Sequence, residues 1–186
     1  MQDNRLYTAI KRIAWGYVLI HVNFNLGTLN ILPNWAGYLL FLSALPAIGE
    51  EEESANLLKP LGILICIVEV ISWFNDLCGG PFNLYLINLI MGVAALYFHF
   101  QLLTNLANVA HKYECSQETK ILLLRTVKTV LQTLFIVISY TSLLNQDFVL
   151  WSLLLVFVII TIWLCAVLFS FKKELEQKLK VEDVTE

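Results

Sequence analysis

Charge is what this sequence has least of. Only 15% of its 186 residues are Asp, Glu, Lys or Arg, against roughly a quarter in an ordinary soluble domain. None at all occurs between Arg12 and Glu50. Hydrophobic residues make up 58%, and the mean hydropathy is +0.70. Folding leaves about 30% of the surface of a chain this long exposed, so the apolar excess cannot all hide in one core. Lipid must be the solvent for the rest. The composition therefore predicts an all-α, polytopic membrane protein, a single integral domain over residues 1–186.

Motifs that carry chemistry are missing as well. Cys66, Cys78, Cys115 and Cys165 stand alone, with no CxxC and no Cys/His pair at ligand spacing. Neither a disulfide framework nor a metal site is expected. No phosphate-binding glycine loop, HExxH, GxSxG or paired-acid motif occurs. No catalytic residue, no cofactor and no enzymatic activity is assigned. A net charge of −3 gives no basic surface for nucleic acid. The first apolar run has no small-x-small site after it, so it is not read as a cleavable signal.

What charge there is falls in clusters. Arg5, Lys11 and Arg12 precede the first apolar run, and Lys59 follows the second. Lys112, Lys120, Arg125 and Lys128 lie around the gap after the fourth, and Lys172, Lys173, Lys178 and Lys180 follow the last. Six spans fit the apolar runs: about 7–25, 34–49, 57–75, 83–110, 121–144 and 148–171, followed by a tail at 172–186. With six spans every cation lies on one side, and the excess of Lys and Arg there puts both termini in the cytoplasm.

The spans pair into three hairpins. Their outer turns, NFNLGTLNILPNW, FNDLCGGPFNLYL and TSLLNQDFVLW, hold no Lys or Arg, and Asp76 and Asp147 are their only acids. The inner connections, GEEEESANLLK and HKYECSQETK, are short and charged. In the first outer turn Asn, Gly and Pro break the helix at or just below the interface, where only protein or water can satisfy bare amides. Pro33 suits the first turn of the returning helix and Asn30 is a candidate cap. Trp35 and Tyr38 fit an interfacial aromatic belt.

The same turn carries a resemblance. Asn25, Gly27, Asn30, Leu32, Pro33, Asn34, Gly37 and Tyr38 form an N-x-G-x-x-[DN]-x-L-P-[DN]-x-x-G-Y pattern. It resembles the opening of a group of small, uncharacterised multi-pass membrane proteins of Firmicutes. The resemblance covers about 20 residues. It implies a bacterial cytoplasmic membrane and no particular activity. That group often has acids at the positions of Asn30 and Asn34, where this chain has amides.

Glu69 is the most unusual side chain. It is the one acid well inside a span, some ten residues past Lys59, hence about 15 Å deep at 1.5 Å per residue. An ionised acid there costs at least ~2.5 kcal/mol, so an intramembrane carboxyl is a functional candidate by default. Ser72, Trp73 and Asp76 continue its helix face. His21, nine residues past Arg12, reaches a similar depth and is its candidate partner; Asn88 on the fourth span reaches it too. Gly92, Ala95 and His99 extend the Asn88 face with small residues that allow close packing. The candidate ligand or proton pathway is therefore Glu69, His21, Asn88, Asn23, Asn25 and Asp76. Each has a plainer reading: Glu69 as a neutral hydrogen-bonding group between helices, His21 and His99 as structural donors, the asparagines as turn formers, Glu50 to Glu53 as a solvated helix start.

Two functions follow. One is a permeation or transport protein for a small solute or ion, its polar path lined by Glu69 and His21. The other is a non-catalytic scaffold, sensor or accessory subunit that binds a membrane partner protein, its polar residues only joining helices.

Overall fold

The computed structural model describes residues 3–21, 25–26, 29–30, 33–80, 85–141 and 147–185. Among them are six α-helices: α1 (Asp3–His21), α2 (Asn34–Glu51), α3 (Leu58–Leu77), α4 (Tyr85–Lys112), α5 (Glu118–Thr141) and α6 (Asp147–Thr185). A short 3-10 turn, Glu53–Leu57, joins α2 to α3. Between α1 and α2 the backbone of β1 (Asn25–Leu26) pairs antiparallel with β2 (Leu29–Asn30), Asn25 opposite Asn30. This small ladder satisfies amides in a region the sequence marks as helix-breaking.

Each helix packs on the next in sequence, and α6 returns to α1. The result is a closed ring of alternating direction. One end of the ring holds the start of α1, the connections after α2 and α4, and the last turns of α6. The contacts that fix this are Lys112 to Glu51 (2.6 Å), Ser116 to Glu174 (2.8 Å) and Arg5 to Glu50 (4.0 Å). The opposite end holds the last turn of α1, the β1–β2 ladder, the start of α2, the end of α3 at Gly79 and Gly80, and the start of α4 and α6.

The helices fall into two kinds. Four segments, Glu53–Leu77, Tyr85–Lys112, Glu118–Ile138 and Trp151–Lys180, are long and apolar enough to cross a membrane. Their outward faces are apolar: Phe74, Tyr97, Ile162 and Trp151 are more than half exposed. Such a surface would be an aggregation liability in water and is an ordinary lipid contact. The first two helices differ. Cations at Arg5, Lys11 and Arg12 interrupt α1, and Pro46, Glu50 and Glu51 interrupt α2. Instead they carry much of the buried core.

The α1 stripe is regular. Leu6, Ala9, Ile10, Ile13, Ala14 and Tyr17 repeat at helical spacing and all are buried. On α2 the matching stripe is Gly37, Tyr38, Phe41, Ala44, Leu45 and Ile48. The two helices cross at Gly16 and Gly37. A Cβ on Gly37 would stand 2.8 Å from the Gly16 carbonyl oxygen, and one on Gly16 would stand 3.0 Å from that of Gly37. Backbone touches backbone there, a contact only glycine permits.

Pro33 lies one residue before α2, where its carbonyl accepts from the Ala36 N–H at 3.0 Å. Pro33 itself holds the N-cap position and supplies no side-chain cap; the side chain of Asn30, the expected cap, lies outside the described residues. At the far end of α3, Gly79 (φ +83°) and Gly80 (φ +67°) take left-handed backbone, and the Gly80 N–H returns to the Asn75 carbonyl at 2.8 Å. This closes the helix C-terminus with glycines where other residues would be strained.

Candidate functional site

Inside the ring, toward the end that holds the β1–β2 ladder, the helices part around a cavity of about 460 Å³. Eight polar side chains from five helices line it: His21, Tyr38, Glu69, Ser72, Asn88, His99, Lys128 and Gln132. The α6 wall is apolar, with Leu154, Phe157 and Val158. Periodicity explains the assembly. Glu69 and Ser72 are three apart on α3, while Asn88, Gly92, Ala95 and His99 follow one face of α4. Lys128, Gln132 and Phe135 do the same on α5. Gly92 lines the space without a side chain; a Cβ there would come into ordinary contact with Ile136 at 3.6 Å.

The polar groups form separate pairs. His21 Nδ1 lies 2.8 Å from the Tyr17 carbonyl, so this nitrogen carries the proton and donates. Its Nε2 then accepts from the Lys128 ammonium at 3.2 Å. Across the cavity Tyr38 Oη and His99 Nε2 are 3.2 Å apart, the hydroxyl donating to the ring. His99 Nδ1 is buried and makes no hydrogen bond among the described residues. Ser72 Oγ donates to the Asn88 amide oxygen at 3.4 Å. Glu69 has the Asn34 side chain as its hydrogen-bond partner.

Lys128 is the group the sequence reading missed. Only 2% of it is exposed. Its ammonium lies 4.4 Å from the Phe157 ring centroid and 5.8 Å from that of Tyr17, and both faces attract a cation. No carboxylate among the described residues forms an ion pair with it. The sequence grouped Lys128 with the interfacial cations, but it lies ten residues into α5 with its head turned inward. The available signal was distance: ten residues are about 15 Å of helix, more than a lysine stem can snorkel back along.

Three of the six candidates named from the sequence, Glu69, His21 and Asn88, line the cavity together. Glu69 and His21 do not bond one another; each has its own partner, Asn34 and Lys128. Asp76 is exposed, one turn beyond Ser72, and is not part of the lining. Asn23 lies outside the described residues, and Asn25 is described only as backbone of β1. Tyr38, expected at an interface, is 3% exposed and faces the cavity. Trp35 is partly buried, edge-on to Trp73 with centroids 6.3 Å apart.

Below the cavity the ring is filled with aromatics. Tyr17 and Phe41 are 5.0 Å apart, Tyr38 and Phe98 5.7 Å, and Phe41 and Phe98 5.9 Å. All four are buried. They form a floor between the cavity and the charged end. No three His, Cys, Asp or Glu among the described residues are placed to hold a metal ion.

The ring, its apolar outer faces and its polar interior define a helical membrane protein with a solute-sized cavity between its helices. No protein-family model, curated protein or solved structure matches the chain.

Proposed function

We propose that the chain is a small transport or permeation protein of a bacterial cytoplasmic membrane, and that the cavity is its solute site. In this reading all six helices cross the bilayer, both termini are cytoplasmic, and the cavity sits in the outer half. One observation carries it: eight polar side chains converge from five helices on a cavity of about 460 Å³. Polar groups inside a membrane bundle are costly, and helix adhesion alone is served by direct pairs without a void. A cavity of this size falls within the usual range for small-molecule sites. The aromatic floor formed by Tyr17, Tyr38, Phe41 and Phe98 is then the barrier that must open toward the charged end.

Glu69→Gln is the test. The amide has the same shape and can still bond Asn34. Loss of flux in proteoliposomes, with thermal unfolding unchanged, supports transport. Unchanged flux in the variant would instead leave Glu69 a helix-joining group and favour the partner-binding reading. Infrared titration of the carboxyl band, wild type against Glu69→Gln, adds a direct readout of whether Glu69 exchanges protons with water.

A further inference from the structure

We infer that the solute carries a carboxylate, and that this carboxylate sits on Lys128. The inference rests on the reading of the cavity as a solute site. Its starting point is a cation without a counter-ion. Lys128 is 2% exposed, and its hydrogen-bond partner among the described residues is the unprotonated ring nitrogen of His21. Ammonium has three donors, so two remain for a ligand. Glu69 lines the same cavity yet makes no ion pair with Lys128. The charge on α5 is thus left for something that enters. An unpaired buried cation is a penalty that an incoming anion removes.

The other donors agree. Tyr38 and His99 satisfy one another at 3.2 Å and add no charge to the lining. Gln132 follows Lys128 by one helical turn on the same face. Its side-chain amide is a neutral donor that bonds a carboxylate oxygen without adding charge.

Size and charge narrow the class. A bare halide has no apolar body to meet the Met91, Phe135 and Phe157 wall. A phosphate ester brings roughly one and a half to two negative charges near neutral pH, and Lys128 is the only Lys or Arg among the described lining residues. A single carboxylate matches a single ammonium. Met91, Phe135 and Phe157 offer an apolar wall for the body of such a molecule. The ligand is a small organic monocarboxylate.

The test uses the full chain in phosphatidylcholine nanodiscs and equilibrium dialysis with labelled acetate, lactate, butyrate, butylamine and butanol. The expected result is saturable binding of at least one of the three acids and none of the amine or the alcohol. Lys128→Met should weaken that binding about 30-fold or more, while Lys128→Arg, which keeps the charge, should retain most of it. Absence of saturable binding by every acid in the folded wild type overturns the inference, and so does equal binding by Lys128→Met. Comparison of acid with amine in the wild type decides the matter even if Lys128→Met does not fold. A separate measurement isolates the underlying reading: Gln132→Cys, in a Cys78→Ser background, is exposed to a membrane-impermeant charged thiol reagent. Labelling without acid binding removes only the carboxylate. No labelling removes the transport path itself, and acid binding in that case leaves an enclosed carboxylate site.

Discussion

The two ends of the ring treat polar residues in opposite ways. At the charged end nearly every polar group is used up by a neighbour. Lys112 pairs with Glu51 at 2.6 Å, Ser54 meets Asn105 at 2.8 Å, and Gln117 donates to Ser170 at 3.0 Å. Lys178 donates to the carbonyls of Tyr113 and Glu114 at 3.0 and 2.8 Å. At the cavity end Lys128 has no carboxylate partner among the described residues and His99 Nδ1 has no partner there at all. A buried polar group left open costs more than it returns to the fold. The first end is therefore organised for stability and the second for binding, and substitutions should separate them.

The largest effect is expected at the α1–α2 crossing that anchors both ends. In Gly37→Leu the Cβ would meet the Gly16 carbonyl oxygen at 2.8 Å and Ile20 Cγ1 at 2.5 Å. The isoleucine can turn aside, but backbone cannot, so the helices must separate. Overpacking of this kind costs about 1–3 kcal/mol, occasionally more. The variant should unfold at markedly lower temperature in detergent. A wild-type melting curve would mean that the crossing is looser than its geometry.

Asn105 comes next. It is fully buried, and with its amide turned so that the nitrogen donates to Ser54 Oγ at 2.8 Å, its oxygen accepts from the Ala55 N–H at 3.1 Å. Asn105→Leu removes both of these bonds, at about 0.5–1.5 kcal/mol each, while Ser54 and the Ala55 N–H keep Glu52 as a partner at 3.1 and 3.0 Å. The matching change at the other end is Lys128→Met. It removes an uncompensated buried charge in favour of a similarly shaped apolar chain, which is neutral or stabilising by about 1–4 kcal/mol in other buried ion sites. Here the gain should be at the low end, since His21 loses its donor. Opposite signs in the two melting curves would sharpen the comparison; a drop in both would break it.

Thiol chemistry gives a smaller but cleaner contrast. Cys115, in the connection between α4 and α5, is 4% exposed. Burial, and then the nearby Glu174 carboxylate, push its thiol up to about 11. The thiolate is the reactive form, so Cys115 should stay unmodified by a maleimide at pH 8, while the exposed Cys78 reacts. Mass spectrometry of the labelled chain reads both sites at once, and rapid labelling of Cys115 would show that the charged end opens.

How much of this was legible in the sequence differs by feature. The helices were, because apolar runs and charge clusters are local. The spans near 34–49 and 57–75 correspond to α2 and α3 within two residues. The start of α1 was not, since the first span reads from about residue 7 while the helix begins at Asp3, with Leu6 already part of the buried stripe that Ala9 and Ile10 continue. The depth of Glu69, His21 and Asn88 could be counted from helical rise. Their partners could not, because pairing depends on how each helix is rotated. Lys128 shows this best: its depth, ten residues into the helix, could be counted, but the side it faces could not, and the lining on α2 and α5 depends on that rotation.

The smallest expected effect tests the charged end at a single backbone residue. Glu114 follows α4 at φ +50°, the one non-glycine residue with positive φ among those described. The Cys115 N–H reaches back to the Ala110 carbonyl at 2.7 Å, the closing bond of a helix C-terminus that normally ends in glycine. An L-residue held there costs about 1–2 kcal/mol. Glycine would relieve this but adds about 0.4–1 kcal/mol of freedom to the unfolded chain. The Glu114 side chain is exposed, so little else is lost. Glu114→Gly should therefore raise stability by roughly 0.5 kcal/mol, read as a melting shift of a degree or two. It should leave cavity binding untouched, because the two Lys178 hydrogen bonds fall on carbonyls that glycine keeps. A change in solute binding on this substitution would couple the two ends, and the division drawn between a packed half and a binding half would then have to give way to a single moving unit.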